Sequence, residues 1–131
     1  MIEKISTIVK LEDAFRDQRG YIQPLVDRPI GSALVIESLK GAVRANHYHK
    51  TDWHYCYMLY GSMEYYERPT GVLDKPKMVV VKKGEMVFTP SMADHAMRFL
   101  EDSMWVVLAR NPRSQPCYEA DTVRVQLIDP S

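Results

Sequence analysis

Short runs of apolar residues, each about the length of a β-strand and set off by turn formers, recur along most of this chain. Val, Ile, Tyr, Trp and Met fill these runs, and few stretches hold the periodicity of a helix three turns long. The pattern predicts strands at about 33–39, 42–45, 54–60, 62–67, 77–82, 86–89, 95–99, 103–110 and 122–127. Turn chemistry separates them. Gly41 divides the first two runs, Gly61-Ser62 suits a tight hairpin, Pro69-Thr70-Gly71 opens a loop and Lys83-Gly84 makes another turn. The Pro-containing stretch 111–116 reads as irregular. Many short strands at this spacing define an all-β sandwich or barrel and argue against a βαβ fold.

A chain of 131 residues matches one domain, with an N-terminal strand or arm over about 1–30 and a barrel over about 31–128. Charge narrows the partners. Lys plus Arg and Asp plus Glu both number 17, so the basic excess expected of a nucleic-acid binder is absent. The longest apolar runs, such as 104–109, are far shorter than the roughly 20 residues that cross a bilayer, and 78–81 is shorter still, so no membrane partner is expected. The first fifteen residues carry acidic side chains among the apolar ones and show no secretory h-region. Cys56 and Cys117 have no metal-like or redox-like spacing and are expected as free thiols, in keeping with a cytoplasmic location.

The histidines carry the most specific signal. All four, His47, His49, His54 and His95, fall in two stretches. His47 and His49 are two apart, so on a strand both imidazoles project from the same face. His54 opens the run that ends at Gly61 and can sit on the neighbouring strand, while His95 follows Gly84 and Pro90, where a later strand can return beside the first pair. Imidazoles converging inside a rigid barrel form a candidate site for a divalent transition metal such as Zn, Ni, Cu or Fe. No organic cofactor is expected.

The spacing resembles that of the cupin superfamily, whose first motif reads G-x5-H-x-H-x3-4-E-x6-G and whose second reads G-x5-P-x-G-x2-H-x3-N. Here the corresponding residues are Gly41, His47, His49, His54 and Gly61, then Gly84, Pro90, Met92, His95 and Phe99. His54 stands in the place of the usual Glu, Met92 in that of a Gly and Phe99 in that of an Asn. The first change turns three histidines and a carboxylate into four neutral ligands, which favours Cu, Zn or Ni over Mg or Mn. The fold this resemblance implies is a small jelly-roll β-barrel.

A narrower similarity joins DQRGYIQPL, GAVRANHYHK and FTPSMADHAMRF to the sugar-nucleotide cupins, the deoxysugar 3,5-epimerases and 3,4-ketoisomerases. It rests on the D-x-RG element Asp17-Gln18-Arg19-Gly20 and on Arg44-Ala45-Asn46-His47-Tyr48-His49-Lys50 against the ketoisomerase R-G-x-H-A-H-K. The similarity implies that His47 and His49 are acid/base residues near the sugar carbons and that Arg44 binds a nucleotide diphosphate. It also implies a small-molecule substrate such as a dTDP-linked sugar, no metal, and a homodimer. Where the 3,5-epimerases carry a tyrosine acid, the stretch 104–110 has no tyrosine. Imidazole, with a pKa near neutrality, suits taking a proton from carbon and returning one elsewhere.

Arg19 and Tyr57 join Arg44 as candidate substrate-binding residues, Tyr57 as one of a cluster with Trp53, Tyr55, Tyr60, Tyr65 and Tyr66 on two successive strands. About half of such a cluster faces inward and packs. The methionines fill irregular core space. Three activities stay open on the sequence: an isomerase or epimerase on a nucleotide-linked keto-deoxysugar, a metal-dependent oxygenase or lyase, and a non-enzymatic small-molecule-binding module.

Overall fold

The computed structural model describes residues 8–131. The first seven residues of the expected N-terminal arm lie outside the described residues. Within it the strands are β1 (Phe15–Asp17), β2 (Gly20–Ile22), β3 (Ser32–Ser38), β4 (Val43–His49), β5 (His54–Tyr60), β6 (Ser62–Pro69), β7 (Lys77–Lys82), β8 (Met86–Thr89), β9 (Ala93–Phe99), β10 (Ser103–Ala109) and β11 (Thr122–Arg124). A short helix, α1 (Gln115–Asp121), precedes the last strand. One sheet has the order β3-β10-β5-β8 and faces a second, β11-β4-β9-β6-β7, while β1 and β2 form a separate hairpin. Every pairing is antiparallel, and this two-sheet arrangement is a jelly roll, the all-β fold read from the sequence.

Alternation places one residue of each pair between the sheets. From the four-stranded sheet these include Cys56, Met58, Val87, Trp105 and Val107, and from the five-stranded sheet Met63, Tyr65, Val81, Met97 and Phe99, all of them buried. The interior is graded along its length. At the end where β5 finishes and β6 begins it is Met58, Met63 and Phe99; at the opposite end the inward positions are His47, His49, His54, Glu67, Thr89 and His95. Tyr65 joins this polar end to the core, its hydroxyl donating to Glu67 Oε1 (2.7 Å) and lying 2.5 Å from Thr89 Oγ1. Gly61 turns β5 into β6 with φ 91°, and a Cβ there would meet the Ser103 backbone at 2.7 Å, so only glycine fits.

Two features depart from a strand reading with period two. β4 runs on to His49, past the expected end at residue 45, because Ala45 (φ 72°) and Asn46 (φ 56°) form a left-handed bulge that does not end the strand. Arg44 pairs with Met97 and His47 with His95, so the four residues 44–47 of β4 match the three residues 95–97 of β9. Asn46 is the extra residue, and asparagine tolerates this conformation better than most. Its side chain is used twice over, with Oδ1 accepting from the backbone of Leu127 and Ile128 and Nδ2 donating to Ile128 O. These bonds replace a ladder, and β11 ends at Arg124, short of residue 127.

The other departure is α1, in a stretch read as irregular. Ser114 precedes it and Pro116 occupies its first turn, where a missing N–H costs nothing. The helix buries no side chain fully, which is why it has no amphipathic signature.

Candidate active site

The four histidines converge at the polar end of the barrel. His47 and His49 reach in from β4, His54 from β5 and His95 from β9, each at most 8% exposed. Ring centroids lie 4.7 Å apart for His47 and His49, 4.8 Å for His47 and His95, 5.2 Å for His54 and His95 and 5.8 Å for His49 and His54. The cavity they line encloses about 150 Å³ and is walled by Ile36, Met97, Trp105 and Val107. That is below the roughly 300–1,000 Å³ of a site enclosing a drug-sized ligand. Only a compact group fits inside.

Hydrogen bonds fix two of the ring tautomers. His95 Nδ1 lies 2.9 Å from Ala93 O, which can only accept, so Nδ1 carries the hydrogen and Nε2 presents a lone pair. That Nε2 is buried and has no partner. His49 Nδ1 lies 3.4 Å from Asp121 Oδ2, and Asp121 is held in turn by Thr51 N and Oγ1, both at 2.8 Å, and Asp52 N at 3.1 Å. The carboxylate directs His49 Nδ1 to donate, which leaves Nε2 as the basic atom.

Burial disfavours the charged form of every ring. His47 is pushed down to about 2, by burial first and then by His95 and His49; His95 is held at about 4, chiefly by burial. His54 lies well below its ordinary range for the same reason. His49 is also lowered by burial, but Asp52 and Asp121 pull the other way. Asp52 and Asp121, beside it, stabilise a captured proton. Asp52 lines the cavity, and burial raises its carboxyl above the usual range.

The remaining candidates from the sequence fall in different places. Arg44 lines the cavity, its Nε donating to Ser38 Oγ (2.7 Å) and Nη2 to Glu37 O (2.8 Å). Arg19 does not reach it. It sits at the turn of the β1–β2 hairpin, paired with Asp17 at 2.6 Å, its side chain 80% exposed. Tyr57 is also elsewhere: it alternates with His54, Cys56 and Met58 on β5 and so points to the outer face, over which residues 21–25 pass. Trp53 and Tyr55 cluster with Phe88 away from the cavity as well.

Four residues absent from the sequence reading belong to the site: Asp52, Arg113, Tyr118 and Asp121. Tyr118 and Asp121 come from α1 and Arg113 from the residues leading into it. The Tyr118 ring lies 6.3 Å from that of His47 and 6.0 Å from that of His49, so a tyrosine does face the histidine pair, from outside the stretch 104–110. His47, His49 and His95 bring nitrogens within 4.8 Å of one another, close enough that the three could hold a metal ion; His54 lies beside them without joining the group.

Comparison with solved structures identifies the fold. The chain superposes on QdtA, a sugar 3,4-ketoisomerase from Thermoanaerobacterium thermosaccharolyticum in complex with TDP, with a TM-score of 0.77 at 18% identity over 95% of this chain and 90% of that one. A 3,4-ketoisomerase from Helicobacter canadensis gives 0.76 at 21% identity over 91% and 90% of the two chains. ChmJ, a 3'-monoepimerase from Streptomyces bikiniensis in complex with dTDP-quinovose, gives 0.74 at 18% identity over 95% and 70%. The jelly roll is therefore the fold shared with these structures. No protein-family model and no curated protein sequence matches the chain.

Proposed function

We propose that this protein is an isomerase or epimerase of a nucleotide-linked keto-deoxysugar, with His49 as the base that moves the proton. The observation that carries the reading is the His49–Asp121 contact behind a cavity of monosaccharide scale that His49 lines, in a fold shared with enzymes named for this chemistry. Shifting a carbonyl to the next carbon removes a proton from the carbon beside it, passes through an enediolate, returns a proton to the former carbonyl carbon and moves the hydroxyl proton from the new carbonyl oxygen to the old one. His49 Nε2 accepts the first proton while Asp121 stabilises the imidazolium. Neutral His47, 4.7 Å away, serves as a hydrogen-bond donor to the carbonyl oxygen where negative charge develops. The apolar wall excludes water that would compete for these bonds. Purified protein mixed with TDP-4-keto-6-deoxyglucose in heavy water is expected to place deuterium on ring carbons; no exchange with this and related keto sugars rejects the reading.

A second reading has its own observation, the unpartnered and buried Nε2 of His95. Together with His47 and His49 it fits a divalent transition metal held by three imidazoles, with Zn, Ni, Cu and Fe the ions such a donor set selects. A metal so held would supply Lewis acidity at a substrate oxygen. Elemental analysis of protein purified without chelators, and titration of the stripped protein with each ion, decide it.

The outer face of β3 and β10 supports a homodimer. Val35, opposite Val106, is 68% exposed, and Ala33 and Leu108 form the next apolar row. Val35→Lys is expected to convert a dimer to a monomer in sedimentation equilibrium, and a wild-type monomer refutes the assembly. Among the described residues no helix is long and apolar enough to cross a membrane. Both cysteines are unbridged, in support of a cytoplasmic place.

A further inference from the structure

The cavity has two arginines on its lining, and the structure gives them different work. Arg44, on which the sequence similarity places the diphosphate, has two of its three guanidinium nitrogens engaged as donors to β3. Ser38 Oγ, which receives Nε, is itself buried and also accepts from Trp105 Nε1 at 3.0 Å. Arg44 thus braces β4 against β3. Arg113 has no carboxylate partner among the described residues, is exposed, and lies with its Cζ 4.1 Å from the centroid of the Tyr118 ring. Stacking fixes the plane of a guanidinium without using its donors. The neighbouring Arg110 is not equivalent, because it donates to Asn111 Oδ1 and Thr51 O.

We infer that Arg113, stacked on Tyr118 at the cavity mouth, receives the anionic group of the ligand, and that Arg44 acts mainly as a brace between the sheets. The anion is the pyrophosphate of a sugar nucleotide, an identification that rests on the reading above. The cavity volume agrees with this division, since a sugar ring fills the interior and leaves charged groups at the mouth. The field of Arg113 reaches inward as well: after burial and the neighbouring histidines, it is among the influences keeping His47 and His54 unprotonated.

The test is calorimetric titration of the full chain with TDP and, separately, with inorganic pyrophosphate, in the wild type, Arg113→Gln and Arg44→Gln, with melting curves for each. A planar fork of charge-assisted bonds lost from Arg113 weakens binding of both ligands by roughly 10- to 100-fold, with the melting temperature unchanged. Arg44→Gln is expected to lower the melting temperature and weaken pyrophosphate binding by less than Arg113→Gln does. The inference is overturned if Arg113→Gln binds pyrophosphate as the wild type does, if Arg44→Gln loses more affinity, or if the wild type binds neither ligand. Pyrophosphate binding that depends on Arg113 without TDP binding leaves the anion site in place and removes the sugar-nucleotide reading.

Discussion

His49 on β4 and Asp121 at the end of α1 meet with 3.4 Å between Nδ1 and Oδ2, although 72 positions separate them along the chain. The carboxylate does two things at once. It orients the imidazole and, through Thr51 and the Asp52 backbone, ties the helix to the loop that follows β4.

Asp121→Asn tests the carboxylate, because the amide can keep its oxygen toward Thr51 while an NH2 replaces the Oδ2 that faces His49 Nδ1 and the Asp52 backbone. On the isomerase reading kcat falls by about 10- to 100-fold, the usual effect of removing a partner that orients a histidine. KM changes little. Steady-state kinetics on the keto sugar check this, and an unchanged kcat removes Asp121 from the mechanism.

The buried imidazoles make stability depend on pH in a fixed direction. Unfolded, each titrates near 6.5; folded, His95 is held at about 4 and His47 at about 2. Between those values the unfolded chain binds more protons, so stability is complete above pH ~6.5 and declines on acidification toward the folded pKa values. Each such histidine contributes a slope of about 1.4 kcal/mol per pH unit within its window. Melting temperatures of metal-free protein should fall steadily from pH 7 to pH 5, and a flat profile would show that the rings are solvated.

On the metal reading His54 and His95, though close together, differ: His95 belongs to the three imidazoles that would hold the ion and His54 does not. His95→Asn should abolish uptake of Zn or Ni by the stripped protein, while His54→Asn should retain it. Equal loss in both variants would place His54 among the ligands.

Met92 stands where the cupin pattern has glycine, and it takes glycine's conformation, with φ 59°. Its N–H donates to His49 O at 2.8 Å, so the turn supports the strand that carries His47 and His49. A non-glycine residue in this region is strained by about 1–2 kcal/mol, partly offset by the flexibility glycine adds to the unfolded chain. Met92→Gly is expected to stabilise by roughly 0.5–1 kcal/mol in denaturant titration.

Much of this was readable beforehand, and particular residues show why the remainder was not. Strands β5 to β8 and β10 are apolar runs set between turn formers, and their bounds follow from those turns to within two residues. The histidines were legible because the spacing of two on β4 and the turn chemistry around it are local properties. Asp121, Tyr118 and Arg113 were not, because a seven-residue helix that buries nothing fully leaves no periodic trace. Ser114 and Pro116 were the available signal for its start. Tyr57 shows the reverse limit. Aromatic composition suggested a ligand contact, but parity with His54 on the same strand already assigned it to the outer face.

Asn46→Ala tests the bulge. It removes the side-chain bonds to Leu127 and Ile128 and places a less tolerant residue at φ 56°. A loss of about 2–3 kcal/mol is expected from the unmet backbone groups and the strain together. Urea unfolding measures it.

Beyond stability, the bulge sets the phase of β4. Arg44 and His47 are an odd number of positions apart and would face opposite sides of a regular strand, yet both line the cavity. Deleting one residue between them would leave a strand of ordinary length with its hydrogen bonds intact in number, while turning either the guanidinium or both imidazoles out to water. Insertions and deletions elsewhere at the barrel rim change a loop; at this position they exchange the inside of the protein for the outside.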